Sequence, residues 1–335
     1  MANQSNGGFD SAITLYQRLK SLCEISTWSL LGPIHPSNQA VLDKEGIDLK
    51  LSQPVPKVRP GQHLFLYLNE YPLLIRNFAT QWQVELDKAA SIQLAFNRTL
   101  GSIPNEPWLA EKLRRVYFQD QPMADHWRQL TRGNSLSGVP VSILPPPVDV
   151  SPFLSLTQTP STKIRIGRLA GNGAVPDDAP AVYEQLSQQI PNAEFHFMPA
   201  PELLESTFSN HPRFYFYQPN QVSVSDFLSQ CDIFLFTHRE GLPIPGPRSL
   251  VEAMAAGCAP VVVNREGPAL RVKHGVSGYC FDDNDALISS VSRLANDTDH
   301  RQHIQRAARD RARQFSLSAW SDTLLATMNQ AALDH

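Results

Sequence analysis

Cysteine is scarce, charge is nearly balanced and long apolar runs are missing, and each shortage narrows what the chain can be. Four cysteines, Cys23, Cys231, Cys258 and Cys280, are spread over 335 residues. They stand far apart, mostly in or beside apolar strand-like runs, which suits reduced core thiols better than a disulfide framework and makes a cytoplasmic location the expectation. A net charge of -3 and a pI near 6.4 give no bulk attraction for nucleic acid or an anionic membrane surface. No run reaches the roughly 18 apolar residues that cross a bilayer. The opening MANQSNGGFD has neither the basic stretch nor the apolar core of a secretion signal. Spanning is excluded on this reading, while peripheral contact with the inner face of a membrane stays compatible. Solenoid-length repeats and low-complexity tails are also missing.

What remains is a chain too long for one ordinary core, which predicts two domains of roughly 150 residues each. Gly7-Gly8 precede SAITLYQRLKSL, whose apolar residues recur at helical spacing, and CEISTWSLL then reads as a strand. Strands are predicted at 48–52, 63–68, 91–97, 115–119 and 141–145, with helices near 72–88, 107–114 and 122–130. Alternation of this kind predicts a first doubly wound α/β domain over residues 1–150. Pro145-Pro146-Pro147 and SLTQTPST (155–162) break every pattern and mark the linker. Strands at 163–169, 193–199, 213–218, 232–237, 259–264 and 278–281 alternate with helices near 178–190, 222–230, 249–257 and 283–297, predicting a second Rossmann-like domain over 151–315. Helices near 300–314 and 317–333 close the chain, the last (316–335) with an apolar face of Trp320, Leu324, Leu325 and Met328.

The chain is organised around CDIFLFTHREGLPIPGPRSLVEAMAAGCAPVVVN, residues 231–264. Two continuously apolar runs, Ile233 to Phe236 and Ala259 to Val263, flank a helix-sized interval, as two parallel strands buried on both faces would. Ser249 followed three residues later by Glu252 predicts a capping box, Pro247 stands just upstream, and Gly257 predicts the stop. The loop from His238 to Arg248 therefore empties into a helix N-terminus. Unpaired N–H groups and partial positive charge there favour an anion, most plausibly a phosphate.

The segment REGLPIPGPRSLVEAMAAGCAPVVVNREGPALRVKHGVSGYCFDDNDAL resembles the donor-binding signature of family-four retaining glycosyltransferases with the GT-B fold. Gly7-Gly8, ILPPPVDVSPF (143–153), IGRL (166–169) and SLSAWSDTLLATM (316–328) agree with it, so the resemblance spans nearly the whole chain, weakly in the first half and strongly in the second. It implies two Rossmann-like domains facing each other across a cleft, with a nucleotide diphosphate sugar as donor and co-substrate in the second and no further cofactor. The acceptor, whether lipid, polysaccharide, protein or small molecule, would enter from the first. It further implies a metal-independent transferase of hexosyl type, with Arg168 and Glu240 as the catalytic residues. Arg168 and the amides of Ser249 and Leu250 would meet charge building on the leaving diphosphate. Glu240 would hold the donor sugar and Glu252 the ribose through charge-assisted hydrogen bonds. Arg239, Gly241 and Arg248 fall in the same donor segment, and Gly7, Gly8 and Asn97 on the acceptor side.

The sequence departs from that pattern in four places. Glu240 and Glu252 are separated by eleven residues, more than the family uses, as though part of IPGP were inserted. The lysine that commonly follows GRL is missing from AGNGAVPDD (170–178), leaving Arg239, Arg248 or Lys273 as substitutes. Only six residues precede Gly7, too few for the usual first strand. Asn97 stands nearest to where an acceptor-side histidine is often found. Purely structural readings compete at each position. Glu252 can serve the helix start alone, Arg239 and Glu240 can form a solvated pair, and Arg168 can be a surface cation. Asp283-Asn284-Asp285 reads as an N-cap rather than a metal motif, and His300 and His303 as surface. A sugar-nucleotide epimerase, or a GT-B subunit that binds without catalysis, fits the same architecture.

Overall fold

The structure is a computed structural model, and it describes residues 27–29, 42–44, 46, 49–51, 57–68, 83–96, 107–169, 175–219, 221–238 and 247–333. Gly7, Gly8, Asn97, Arg239, Glu240 and Gly241 lie outside the described residues. The chain divides into two compact units, Met1–Pro147 with Trp320–His335, and Val148–Ala319.

In the first unit, β1 (Thr27–Ser29) pairs in parallel with β2 (Leu49–Leu51). A four-stranded parallel sheet runs β3 (His63–Leu68), β4 (Ser91–Phe96), β5 (Leu113–Phe118), β6 (Val141–Ile143) in that spatial order. The strand period of two divides β4 between two cores. Ile92, Leu94 and Phe96 face Trp127 and Met123 of the helix Gln121–Leu130. Ala95, with Tyr117 and Leu144, faces Trp320 and Leu324 of the closing helix Leu317–Leu333. Asp120 caps the Gln121–Leu130 helix, accepting from Met123 N at 3.0 Å, and Pro122 fits the first turn because its missing N–H has no role there.

The second unit is a six-stranded parallel sheet: β7 (Ile164–Leu169), β8 (Ala193–Met198), β9 (Phe214–Phe216), β10 (Ile233–Phe236), β11 (Ala259–Val263) and β12 (Tyr279–Phe281). Their spatial order is β9-β8-β7-β10-β11-β12. Strand order thus reverses between β7 and β10, the topological switch point at which open α/β sheets bind ligands, beyond the carboxyl ends of the strands. One face of the sheet packs Ile164, Ile166, Phe195, Phe197, Ile233 and Leu235 against the helices Ala179–Gln189 and Asn284–Asn296. The other packs Phe234, Phe236 and Val262 against the helices Val224–Ser229 and Arg248–Ala256. Burial on both faces is why β10 and β11 read as unbroken apolar runs. Among the described residues, no helix is long and apolar enough to cross a membrane.

Candidate functional site at the switch point

Arg168 is the fifth residue of β7 and is buried, with 1% of its surface exposed. Its Nε donates to Thr237 Oγ1 at 3.3 Å and its Nη2 to the Thr237 carbonyl at 3.4 Å, so the guanidinium bridges from the end of β7 to the end of β10 across the switch point. Burial pushes the Arg168 pKa down, and the neighbouring Tyr183 opposes that shift. Tyr183, on the Ala179–Gln189 helix, has its own pKa raised by burial, with Arg168 and Thr237 acting in the opposite direction. The surface-cation reading of Arg168 is therefore wrong: the strand that carries it is central, and both of its faces are covered. Thr237 and Tyr183 were not among the expected site residues. Thr237 had a signal, being the first polar residue after IFLF; Tyr183 had none, because a tyrosine on an amphipathic helix reads simply as core.

His238 stacks on Phe236 with ring centroids 6.5 Å apart. Pro247 has φ -62° and ψ 111°, an extended conformation that directly precedes the helix Arg248–Ala256. This start corrects the expected capping box. Ser249 is the second helical residue rather than the cap, and among the described residues no side chain caps the helix. Glu252 instead accepts a 2.7 Å hydrogen bond from Arg248 Nε, one helical turn back. The reason is Pro247, whose fixed φ suits the position just before a first helical residue and moves the boundary one residue ahead of the serine. Glu252 is 5% exposed. The side chain of Leu250 is fully in the core, so only its amide is available to a ligand.

The other end behaves as its glycine predicts. Gly257 has φ +90°, its N–H donates to Met254 O at 3.1 Å, and Cys258 N donates to Ala253 O at 3.0 Å. Arg309 adds a guanidinium cap, with Nη2 donating to Ala256 O at 2.9 Å and to Leu156 O at 3.1 Å. Lys273, one candidate substitute for the missing lysine, is exposed in the turn that leads into the amino end of β12. Arg168 and Thr237 mark the carboxyl ends, so topology removes Lys273 from the site. Asp283 caps the helix Asn284–Asn296, accepting from Ala286 N at 2.8 Å, and His300 Nε2 lies 2.7 Å from Tyr279 OH.

The arrangement places an arginine, a threonine and a helix N-terminus around the switch point of a Rossmann-ordered sheet. Residues 202–311 match the family model described as Glycosyl transferases group 1. No curated protein matches the chain by sequence. Among solved structures, a glycosyltransferase from Rickettsia africae ESF-5 aligns with a TM-score of 0.71 at 15% identity, covering 97% of this chain and 94% of that one. HepE from Anabaena, in complex with UDP, aligns with a TM-score of 0.69 at 13% identity over 98% of each chain. The fold is GT-B. A sucrose-phosphate synthase from Thermosynechococcus elongatus aligns less closely, with a TM-score of 0.57 at 12% identity over 89% of this chain and 77% of that one. The GT-B likeness extends over nearly the whole chain, whereas the family model covers the stretch from the helix Glu202–Phe208 into the helix Thr298–Ala312 and so includes β10, Glu252 and the Arg248–Ala256 helix.

Proposed function

We propose that the protein is a retaining glycosyltransferase that moves a hexose-type sugar from a nucleotide diphosphate sugar to an acceptor. The observation that carries this reading is the coincidence of the group 1 family match, residues 202–311, with a switch-point site bounded by Arg168, Thr237 and the N-terminus of the Arg248–Ala256 helix. Breaking the anomeric C–O bond builds negative charge on the departing diphosphate. Preorganised positive groups at that place lower the barrier without reorganising during the reaction. Arg168 is preorganised by its contacts with Thr237, and the amides of Ser249 and Leu250 lie in the first turn of a helix that no described side chain caps. In this reading Glu252 accepts hydrogen bonds from the ribose and Glu240 from the donor sugar. Protein cations and amides carry the leaving-group charge, and the transfer proceeds without a metal.

The bound UDP in the Anabaena HepE structure makes UDP the first donor nucleotide to test. Calorimetry with UDP, GDP and ADP is expected to show binding by at least one, and hydrolysis of the corresponding labelled donor is expected even without acceptor. Binding by none sinks the donor site. Binding without turnover for any donor favours a GT-B subunit that binds without catalysing. Isomerisation of the labelled sugar while still attached to nucleotide favours an epimerase.

A further inference from the structure

We infer that the outer edge of the second unit's sheet carries a binding site for an uncharged oligosaccharide, at a cavity bordered by Tyr215, Phe216, Tyr217, Glu205, Ser209 and Gln221. The cavity holds about 400 Å³, within the range of about 300–1,000 Å³ that small-molecule sites occupy. Among the described residues β9 is the last strand on its side of the sheet, two strands out from β7. At the usual strand spacing that is roughly 10 Å from the switch point, so the inference stands apart from the donor reading.

The sequence builds this edge from four consecutive aromatic residues, Phe214 to Tyr217. The strand period of two sends Tyr215 and Phe216 to opposite faces of the sheet, and each stacks on a ring of β8. Tyr215 lies on His196 with centroids 4.7 Å apart and 13° between the planes, and Phe216 on Phe197 at 5.2 Å and 14°. Rings stacked across strands in this way keep one face toward the sheet, and on the last strand the other face turns outward. For Phe214 that outer face is covered, because its ring lies between Phe195 at 4.7 Å and Phe208 at 4.3 Å. Tyr215 and Phe216 instead line the cavity, and Tyr215 is 39% exposed.

Polar groups border the same space. Glu205 and Ser209 stand one helical turn apart at the end of the helix Glu202–Phe208, and Gln221 adds an amide. A pyranose carries C–H groups on the faces of its ring and hydroxyls around the rim. Outward aromatic faces suit the first, and a carboxylate, a hydroxyl and an amide suit the second, the carboxylate through charge-assisted hydrogen bonds. The lining residues include an acid and no cation, which disfavours a phosphorylated ligand. Ring faces on opposite sides of one strand cannot both stack on a single pyranose, so the ligand spans several sugar rings.

Saturation-transfer NMR on the full chain, titrated with maltohexaose, cellohexaose and chitohexaose, tests the site. At least one hexasaccharide is expected to receive saturation at its ring C–H protons, and to keep receiving it when UDP is present. Tyr215→Ala is expected to weaken that binding at least about fivefold, and Glu205→Ala about tenfold. Tyr215→Phe, which keeps the ring, is expected to stay within about twofold of the unaltered protein. Binding of none of the three overturns the inference, as does binding that Tyr215→Ala leaves unchanged. Binding that UDP abolishes places the sugar at the switch point and overturns it too. Should Tyr215→Ala fail to fold, unchanged binding in Glu205→Ala overturns it equally. Calorimetry with nucleotides tests only the proposed function, so the two can fail separately.

Discussion

Replacing Gly167 with alanine tests how tightly the strand that presents Arg168 is packed. Gly167 stands between Ile166 and Arg168 in β7, and a Cβ built there would lie 2.2 Å from Cys231 Sγ and 3.4 Å from Phe227 Cε1. Ordinary contacts between such atoms are about 3.5–4.0 Å, so the overlap with sulfur exceeds an ångström. Neither neighbour has room to yield, since Cys231 is 1% and Phe227 3% exposed, and turning the thiol also gives up its 3.3 Å contact with Phe227 O. Overpacking of this kind costs about 1–3 kcal/mol. For a unit the size of Val148–Ala319 that lowers the melting temperature by roughly 2–12 °C. Cys231→Ala removes the colliding sulfur and leaves its own Cβ at 3.2 Å, a tight but tolerable approach; alone it costs about 1 kcal/mol as a small cavity. The double variant is therefore expected to be more stable than additivity allows, by about 1–3 kcal/mol in a double-mutant cycle. Urea unfolding followed by tryptophan fluorescence and by circular dichroism measures all four proteins. A single substitution costing under about 0.5 kcal/mol, or additive effects, would refute the reasoning.

Other expectations follow from the same geometry. Glu252→Gln is expected to weaken nucleotide binding about tenfold with little change in melting temperature; a collapse in melting temperature with unchanged affinity of the folded protein would mean that Glu252 only supports the helix. Gly257→Ala places a β-carbon on a residue at φ +90° and 2.8 Å from Arg309 Nη2. It is expected to cost about 1–2 kcal/mol in urea unfolding, and a neutral result would remove the left-handed cap from the argument. His196 stacks on Tyr215 at 4.7 Å, its Nδ1 lies 3.2 Å from Tyr217 OH, and Glu194 Oε2 is 3.9 Å from its Nε2. Burial first, and Arg165 second, push its pKa down to about 4. The unfolded chain takes up this proton near pH 6.5 and the folded chain only near 4, so the stability from the neutral ring is complete above the higher value and is lost as pH falls through the window. The loss amounts to at most about 3 kcal/mol. Melting at pH 7 and 4.5 should show that decline in the unaltered protein and a smaller one in His196→Phe; equal declines would exclude His196 as the source.

The second unit was the more legible half because its physics is local and repetitive. β10 and β11 announce themselves as unbroken apolar runs, and Gly257 marks the helix end by the only residue type that reaches φ +90° cheaply. Strand order is another matter. That β7 pairs with both β8 and β10 depends on which long connection crosses which edge, and no single residue reports it. The sequence pattern therefore showed Arg168 at a strand end without showing that the end belongs to the switch point. Thr237 and Tyr183 were missed for the same reason: they meet Arg168 from elements about 70 and 15 residues away, a proximity created by the crossover alone.

The start of the Arg248–Ala256 helix shows where local rules stop being sufficient. Ser249 and Glu252 have the residue types and spacing of a capping box, and from the string alone nothing distinguishes them from one. Pro247 decides otherwise by fixing the backbone one residue earlier, and Arg248 then takes the carboxylate that the box would have turned back on the helix end. Among the described residues this N-terminus has neither a side-chain cap nor an acid in its first turn, and it carries an arginine instead. Helix propensity favours none of these features, and the diphosphate of the proposed function would suit such an end. The eleven-residue interval between Glu240 and Glu252 and the departure from helix-start chemistry thus fall on the same short stretch of sequence. Under the proposed function, donor selectivity is for that reason best sought by substituting residues between Glu240 and Arg248.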